Sequence, residues 1–169
     1  MKNLFFTSLL LLFACNVTVA QKYALIDSEY ILKKMAKYKA AQEQVDKASA
    51  QYQKEVDDAF AAVDDMYRVY QAEKVLLSDE LKRKRESNII AAEKDAKELQ
   101  RKYFGADGAL FKKREELINP IMDLLYKAVK DVAEEGGYAT IFDVSNNPSI
   151  VYSNRRFDKS DDVLKKLGF

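Results

Sequence analysis

The stretch that decides the fold starts at Tyr38 and reads YKAAQEQVDKASAQYQKEVDDAFAAVDDMYRVYQAEKVLLSDEL, ending at Leu81. Apolar residues recur in it at heptad spacing along two tracks, which is the pattern of a coiled-coil seam. No proline occurs between Tyr38 and Asn119, and charged residues fill the other faces. The pattern predicts a long α-helix. One track contains Tyr38, Val45, Tyr52, Ala59 and Met66, and the other contains Val56, Val63, Tyr70 and Leu77.

A helix start signal interrupts this run at Ser78. Ser78 offers a hydroxyl N-cap, and Asp79 and Glu80 place two carboxylates in the first turn of a new helix. A similar apolar repeat then resumes and gives the second helix a broad apolar face. The two segments predict a long antiparallel helical hairpin with its tip near residue 78. The second repeat contains Ala96, Tyr103, Leu110, Leu117 and Leu124 beside Phe104, Phe111, Ile118, Leu125 and Val132.

Charge pairing across the tip suggests a register for this hairpin. One register places Glu73 opposite Lys82, Asp58 opposite Lys97 and Glu43 opposite Lys112. An arm of about forty residues rising about 1.5 Å per residue projects on the order of 60 Å. Such a hairpin is a lever, a spacer or a clamp rather than the core of a small domain.

The first twenty residues have the pattern of a secretory signal. Lys2 is followed by an apolar run from Leu4 to Ala14, and Thr18-Val19-Ala20 is a small-residue cleavage site before Gln21. The apolar run is too short to span a bilayer. Cleavage after Ala20 predicts a periplasmic protein, with lipoprotein processing at Cys15 as the alternative.

Composition argues against most catalytic chemistry. Cys15 is the only cysteine and the chain has no histidine. After signal removal it therefore forms no disulfide, no zinc site of the usual kind and no Cys-His or Ser-His-Asp unit. The net charge of +1 falls to zero with the loss of Lys2, so the mature chain has no net positive charge to attract nucleic acid. We expect no enzyme activity and no cofactor.

The flanking segments predict a small body of class α+β. Lys22–Asp27 is a β-type run ending in a helix cap at Asp27 or Ser28. Residues 138–144 and 149–153 alternate with period two and are joined by turn formers, which predicts a β-hairpin. A short terminal helix follows, capped by Asp158, Ser160 or Asp161. We expect residues 21–37 and 120–169 to form this body and residues 38–119 to form the arm.

Two features mark the descending helix. Pro120 is expected to end or kink it, because proline lacks an N–H donor. Gly105 and Gly108 indicate a soft spot or local irregularity, since each costs about 1 kcal/mol relative to alanine inside a helix. Either the arm flexes at these glycines or they relieve crowding against the facing arm near Lys47 and Ala50. If their backbone angles are helical, replacing both with alanine should stabilise the helix.

The order of segments resembles the Skp/OmpH family of periplasmic chaperones. The resemblance covers essentially the whole mature chain, from Tyr23-Ala24-Leu25-Ile26-Asp27 and Tyr38-Lys39-Ala40-Ala41 to the ending Asp158–Leu167. It implies a homotrimer in which strands of three subunits form a body and three helical hairpins enclose a cavity. It also implies unfolded outer-membrane proteins as clients, held without ATP. The alternative is a structural or tethering coiled coil of the envelope without chaperone activity.

The candidate binding residues follow from this interpretation. Phe60 and Tyr67 widen the apolar face beside the tracks, and Tyr52 and Tyr70 lie within them; all four either contact client or pack in the seam. Lys82, Arg83, Lys84 and Arg85 form a basic tip that either contacts anionic lipid transiently or is simply solvated. Asp57, Asp58, Asp64 and Asp65 lie on one helix without a loop, which favours solvation over metal binding. Leu25, Ile141, Phe142 and Val151 are the expected trimer-body residues.

Overall fold

The computed structural model describes residues 21–145 and 147–169. The predicted signal sequence and Cys15 lie outside the described residues. The described chain is α+β, as predicted, with long helices and a two-stranded sheet. It divides into two compact units: the residues up to Tyr30 with Ala128–Phe169 form one, and Ile31–Lys127 form the other.

A helical hairpin dominates the second unit, as the heptad tracks predict. Its tip lies at a 3₁₀ turn, Lys74–Leu76, and Ser78 caps the returning helix by accepting a hydrogen bond from the Leu81 N–H at 3.4 Å. The helices of the described chain, in order, are α1 (Ser28–Lys34), α2 (Ala36–Glu73), α3 (Asp79–Phe104), α4 (Ala109–Gly136) and α5 (Ser160–Lys166).

The seam between α2 and α3 is narrow. Val56, Val63 and Tyr70 are buried on α2, and Ala96 is the buried residue of α3. The predicted ion pairs across this seam are not the ones that form, because nearer partners compete. Glu73 pairs with Arg85 at 3.4 Å. Lys82 pairs with Asp79 and Lys97 with Glu93, each within its own helix.

Gly105 and Gly108 mark a break in the returning helix, which confirms the predicted irregularity. Gly105 has ψ 169°, so its backbone is extended and the condition for stabilisation by alanine is not met there. A Cβ on Gly105 would lie 2.4 Å from the Arg101 carbonyl oxygen, and a Cβ on Gly108 would lie 2.6 Å from the Tyr103 carbonyl oxygen. The nearest contacts therefore come from the preceding turn. The crowding interpretation, which placed them on the facing helix near Lys47 and Ala50, is not supported.

Two other helix boundaries differ from expectation. Pro120 lies inside α4 and does not end it. Its missing N–H removes one hydrogen bond, but packing of the buried Ile121 and Leu125 maintains the helix around it. Met35, which carries no breaker signal, separates α1 from α2 with an extended backbone of φ −79° and ψ 111°.

The sheet of the first unit contains two parallel strands, β1 (Lys22–Ile26) and β2 (Tyr138–Asp143). The prediction that residues 138–144 and 149–153 form a β-hairpin is wrong, because residues 149–153 contain no strand. β2 instead pairs with β1, so residues 149–153 have no neighbouring strand. A strand forms only where hydrogen bonds to a neighbouring strand satisfy its backbone N–H and C=O groups.

One of the two remaining predicted caps is present. Asp27 caps α1 by accepting a hydrogen bond from the Tyr30 N–H at 2.9 Å. The terminal helix α5 exists, but its N-cap position is Lys159, which makes no side-chain cap hydrogen bond. Asp158, one residue earlier, accepts hydrogen bonds from the Ser160 N–H and hydroxyl. The buried apolar residues of this unit come from β1, α4 and α5: Ala24, Leu25, Ile26, Ala128, Val132, Val163 and Leu164.

Candidate functional site

A tyrosine pair ties the two arms of the hairpin together in its middle. The rings of Tyr52 and Tyr103 stack with centroids 4.2 Å apart and planes 8° from parallel. The Tyr103 hydroxyl donates a hydrogen bond to the Glu55 carboxylate. This bond raises the pKa of Tyr103 and lowers that of Glu55. Tyr52, a predicted client contact, therefore has one ring face occupied by the seam.

A second tyrosine makes the same kind of link nearer the tip. Tyr70 is buried, and its hydroxyl donates a hydrogen bond to the Glu86 carboxylate of the facing helix. This bond, with desolvation next, raises the pKa of Tyr70 to about 12. The ammonium of Lys74 lies 5.5 Å from the ring centroid. Tyr70, also a predicted client contact, is thus held within the hairpin.

Other apolar side chains remain outside the seam. Tyr67 is 54% exposed, and Phe60 is partly exposed beside it on α2. Sequence reasoning missed Ile90 of α3, which is 66% exposed, and Val69 of α2, which is also exposed. Val69 lies off the heptad tracks of α2, and this position was the available signal. Ile90 lies two heptads before Phe104, in phase with that track, so the pattern by itself predicts packing for Ile90 and gives no signal of its exposure. The arm therefore presents apolar contacts to solvent that its own packing does not use.

The tip is less basic and more apolar than the sequence suggested. Arg83 and Lys84 are exposed, whereas Lys82 and Arg85 are ion-paired with Asp79 and Glu73. Two apolar residues missed by the sequence reasoning lie in the 3₁₀ turn. They are Val75, 88% exposed, and Leu76, 85% exposed.

The sheet of the first unit leaves the outer edge of β2 unpaired among the described residues. Leu25, a predicted body residue, pairs with Phe142 of β2 on one side. On the other side its carbonyl accepts a hydrogen bond from the Lys159 N–H at 2.8 Å. Leu25 is thus bonded on both sides, and the outer edge of β2 has no strand partner among the described residues.

Aromatic and aliphatic side chains of this unit are exposed. Val151, a predicted body residue, is 95% exposed, Phe142 is about half exposed, and Ile141 is partly buried. An apolar groove of about 430 Å³ is formed by side chains of both strands and of residues 150–157. Its apolar lining comprises Tyr23, Leu25, Phe142, Ile150, Tyr152 and Phe157.

A polar cluster fixes the end of β2 to the start of α1. Asp143 accepts hydrogen bonds from the Ser28 N–H at 3.1 Å, the Ser28 hydroxyl at 2.5 Å and the Ser145 N–H at 3.0 Å. Partial burial opposes ionisation of Asp143, but these hydrogen bonds outweigh it and lower its pKa. The cluster is fully partnered, which suits a structural link between strand and helix.

Neither a cluster of metal-binding side chains nor a membrane-spanning helix is found among the described residues. Within residues 21–145 and 147–169, no group of three or more His, Cys, Asp or Glu side chains could hold a metal ion. Across the same ranges, no helix combines the length and apolar character needed to cross a bilayer.

Comparison with known proteins gives two findings. A family model described as outer membrane protein (OmpH-like) matches residues 22–167. The fold is similar to a crystal structure of a candidate outer membrane chaperone (OmpH-like) from Caulobacter crescentus CB15. The TM-score is 0.63 at 12% identity, with 88% of this chain and 85% of that chain covered. No curated protein matches this chain.

Proposed function

Because this chain belongs to the OmpH-like outer membrane protein family, we propose that it is an ATP-independent holdase chaperone for unfolded outer-membrane proteins. The observation that carries the proposal is the set of apolar side chains left exposed on the arm. Tyr67 and Ile90 are more than half exposed on facing helices of one hairpin. The description of the structurally similar protein as a candidate outer membrane chaperone supports it.

The geometry of the arm suits weak contacts with many sequences. α2 alone has 38 residues and so extends roughly 57 Å at about 1.5 Å per residue. Isolated exposed apolar side chains along it each contribute little, but several together bind an unfolded chain by multivalency. Such contacts need no pocket and allow release without ATP.

We place this activity in the periplasm, after cleavage of the predicted signal behind Ala20. Outer-membrane precursors cross this compartment unfolded, and their apolar strands aggregate unless shielded. The exposed Val75 and Leu76, next to Arg83 and Lys84, would permit transient contact of the tip with anionic lipid.

We also propose that the protein acts as a homotrimer joined through its sheet. A two-stranded sheet with an open edge is marginal alone, and exposed apolar residues beside such an edge mark an interface. The open edge of β2 and the exposed Val151 and Tyr152 are the surfaces on which a second copy would pair. Tyr67 and its neighbours would then line a cavity between three arms.

Charge substitution tests the assembly. Phe142→Glu changes a half-exposed side chain, so the monomer fold should survive while association is lost. Sedimentation of wild type and variant at micromolar concentration measures this, with Phe169→Glu at the exposed carboxyl terminus as the matched control. A wild-type chain that sediments as a stable monomer would contradict the trimer.

A scattering assay tests the holdase function. A urea-denatured porin is diluted into buffer with a molar excess of the protein, and aggregation is followed by light scattering. We expect suppression by wild type and weaker suppression by Tyr67→Ser/Ile90→Ser, while Phe169→Ser, also exposed, behaves as wild type. Equal aggregation with and without wild type would reject the holdase. Recovery of one folded partner at fixed stoichiometry would support the tether instead.

A further inference from the structure

We propose that the surface around the glycine break binds acidic segments of the unfolded client, an inference that rests on the proposed chaperone function. The surface, called the break surface below, combines positive charge with two phenylalanines. Its cations come from the end of α3 and the start of α4. The break surface consists of Arg101, Lys102, Lys112, Lys113 and Arg114 with Phe104 and Phe111.

The break surface is rich in cations that form no close ion pair. Residues 101–114 contain these five cations and one acidic residue, Asp107, and Glu98, Glu115 and Glu116 flank the segment. Within the described ranges 21–145 and 147–169, none of the five forms an ion pair within 4.0 Å. The tip differs, because two of its five cations, Lys82 and Arg85, are ion-paired. Cations without an ion-pair partner are therefore more numerous at the break than at the tip.

The shape of the break surface follows from its glycines. A cleft of about 520 Å³ is lined by Arg101 and Lys102 on one side and Lys112 on the other, with Asp107 and its neighbours in residues 105–109 between them, so three cations face one carboxylate. Added methyl groups at Gly105 and Gly108 would collide with backbone atoms of the preceding turn. The glycines thus permit the break, and the break forms the cleft between the two sets of cations.

An acidic polypeptide fits this arrangement better than a single phosphate does. The cations are distributed over on the order of 20 Å of helix, whereas one phosphate requires donors converging on one point. An extended segment of about six residues spans the same length. Phe104 and Phe111, which flank the cleft in sequence, are partly exposed, which suits apolar residues next to carboxylates.

Exposed charges also suit a holdase. Each solvent-exposed ion pair contributes little and is screened by salt, so the contacts steer and retain acidic segments without preventing release. The apolar contacts proposed near Tyr67 and Ile90 and the charged contacts at the break would then act on different parts of one client.

Two variants of equal charge change test the location of the subsite. The break variant carries Lys102→Gln, Lys112→Gln and Lys113→Gln; the tip variant carries Lys74→Gln, Arg83→Gln and Lys84→Gln. Glutamine has a helix propensity close to that of lysine, so both should keep the wild-type far-UV circular dichroism. The probes are two labelled unstructured peptides. One has Glu at alternate positions and the other has Gln at the same positions, and both have Phe at positions between them.

Fluorescence anisotropy at low salt should show that wild type binds the Glu peptide more tightly than the Gln peptide. We expect the break variant to lose about five- to thirty-fold in affinity for the Glu peptide only, while the tip variant stays near wild type. Raising salt should reduce the wild-type preference. An equal loss of Glu-peptide affinity in both variants would mean that binding responds only to net charge. Equal affinity of wild type for the two peptides would mean that no subsite exists. Either result overturns the inference.

Two further measurements separate this inference from its alternatives. If the break variant loses binding to phosphatidylglycerol vesicles but keeps peptide affinity, the surface binds lipid and the inference is wrong. If wild type prefers the Glu peptide yet fails to suppress porin aggregation, the subsite stands and the proposed holdase function fails. If wild type suppresses aggregation with no peptide preference, the function stands and the subsite fails.

Discussion

Gly105→Ala should destabilise the hairpin, although an alanine usually strengthens helical segments. The new Cβ would lie 2.4 Å from the Arg101 carbonyl oxygen, where ordinary contacts are about 3.4 Å or longer. Because the obstructing atom belongs to the backbone, the last turn of α3 must shift by several tenths of an ångström. Overpacking of this kind typically costs about 1 to 3 kcal/mol. For a chain of this size that corresponds to a fall in Tm of roughly 2 to 12 °C.

Thermal unfolding followed by circular dichroism at 222 nm, at fixed protein concentration, measures this shift. Ala106→Ser is the matched control, because it adds one heavy atom to an exposed residue of the same break and should leave Tm nearly unchanged. Ala91→Gly, in the exposed interior of α3, calibrates the assay with a loss of about 1 kcal/mol. An equal or higher Tm for Gly105→Ala would show that the break closes into continuous helix, and the steric reasoning would be refuted.

Three further predictions concern the hydrogen-bonded links. The pKa of Tyr70 is about 12 in the folded chain, against an ordinary value of 10.0. The free energy of unfolding should therefore be highest below pH 10 and should decline between pH 10 and 12. Unfolding midpoints measured across this range should decline less in Tyr70→Phe. Tyr103→Phe retains the ring but loses the bond to Glu55, so its Tm should fall below wild type at pH 7 and fall further in Tyr103→Leu, as calorimetry would show. The pKa of Asp143 is lowered in the folded chain, so its ionised form stabilises the fold at neutral pH, and this stability is lost as pH falls through that pKa. Asp143→Asn should remove part of this acid dependence in urea titrations between pH 2 and 6. An unchanged pH profile in the variant would contradict the prediction.

The helical hairpin was predictable because its signals are local. Heptad spacing places Val56, Val63 and Tyr70 on one face of a helix wherever the chain goes, and all three are buried. Ser78 followed by two acids is a start signal that acts within one turn, and Ser78 caps α3. The irregularity at Gly105 and Gly108 was predictable for the same reason, since glycine changes the local backbone cost.

Which side chains remain on the outside was less predictable. Tyr52 and Tyr70 lie on the heptad tracks, but only the packed hairpin shows that Tyr103 and Glu86 take them as partners. The tip contains four consecutive basic residues in sequence, yet Glu73 reaches Arg85 across the turn and offsets part of that charge. Such pairings depend on positions distant in the chain and on competition among several acids.

The sequence by itself determined the class of the protein: two amphipathic helices joined at Ser78, flanked by short β-type segments. The tertiary structure alone decided that β2 takes the distant β1 as its parallel partner and leaves residues 149–153 outside the sheet. It also decided that α4 continues through Pro120. Helix periodicity and caps arise from residues three to four positions apart, whereas strand pairing and tolerance of a proline depend on packing between remote segments, which local pattern does not encode.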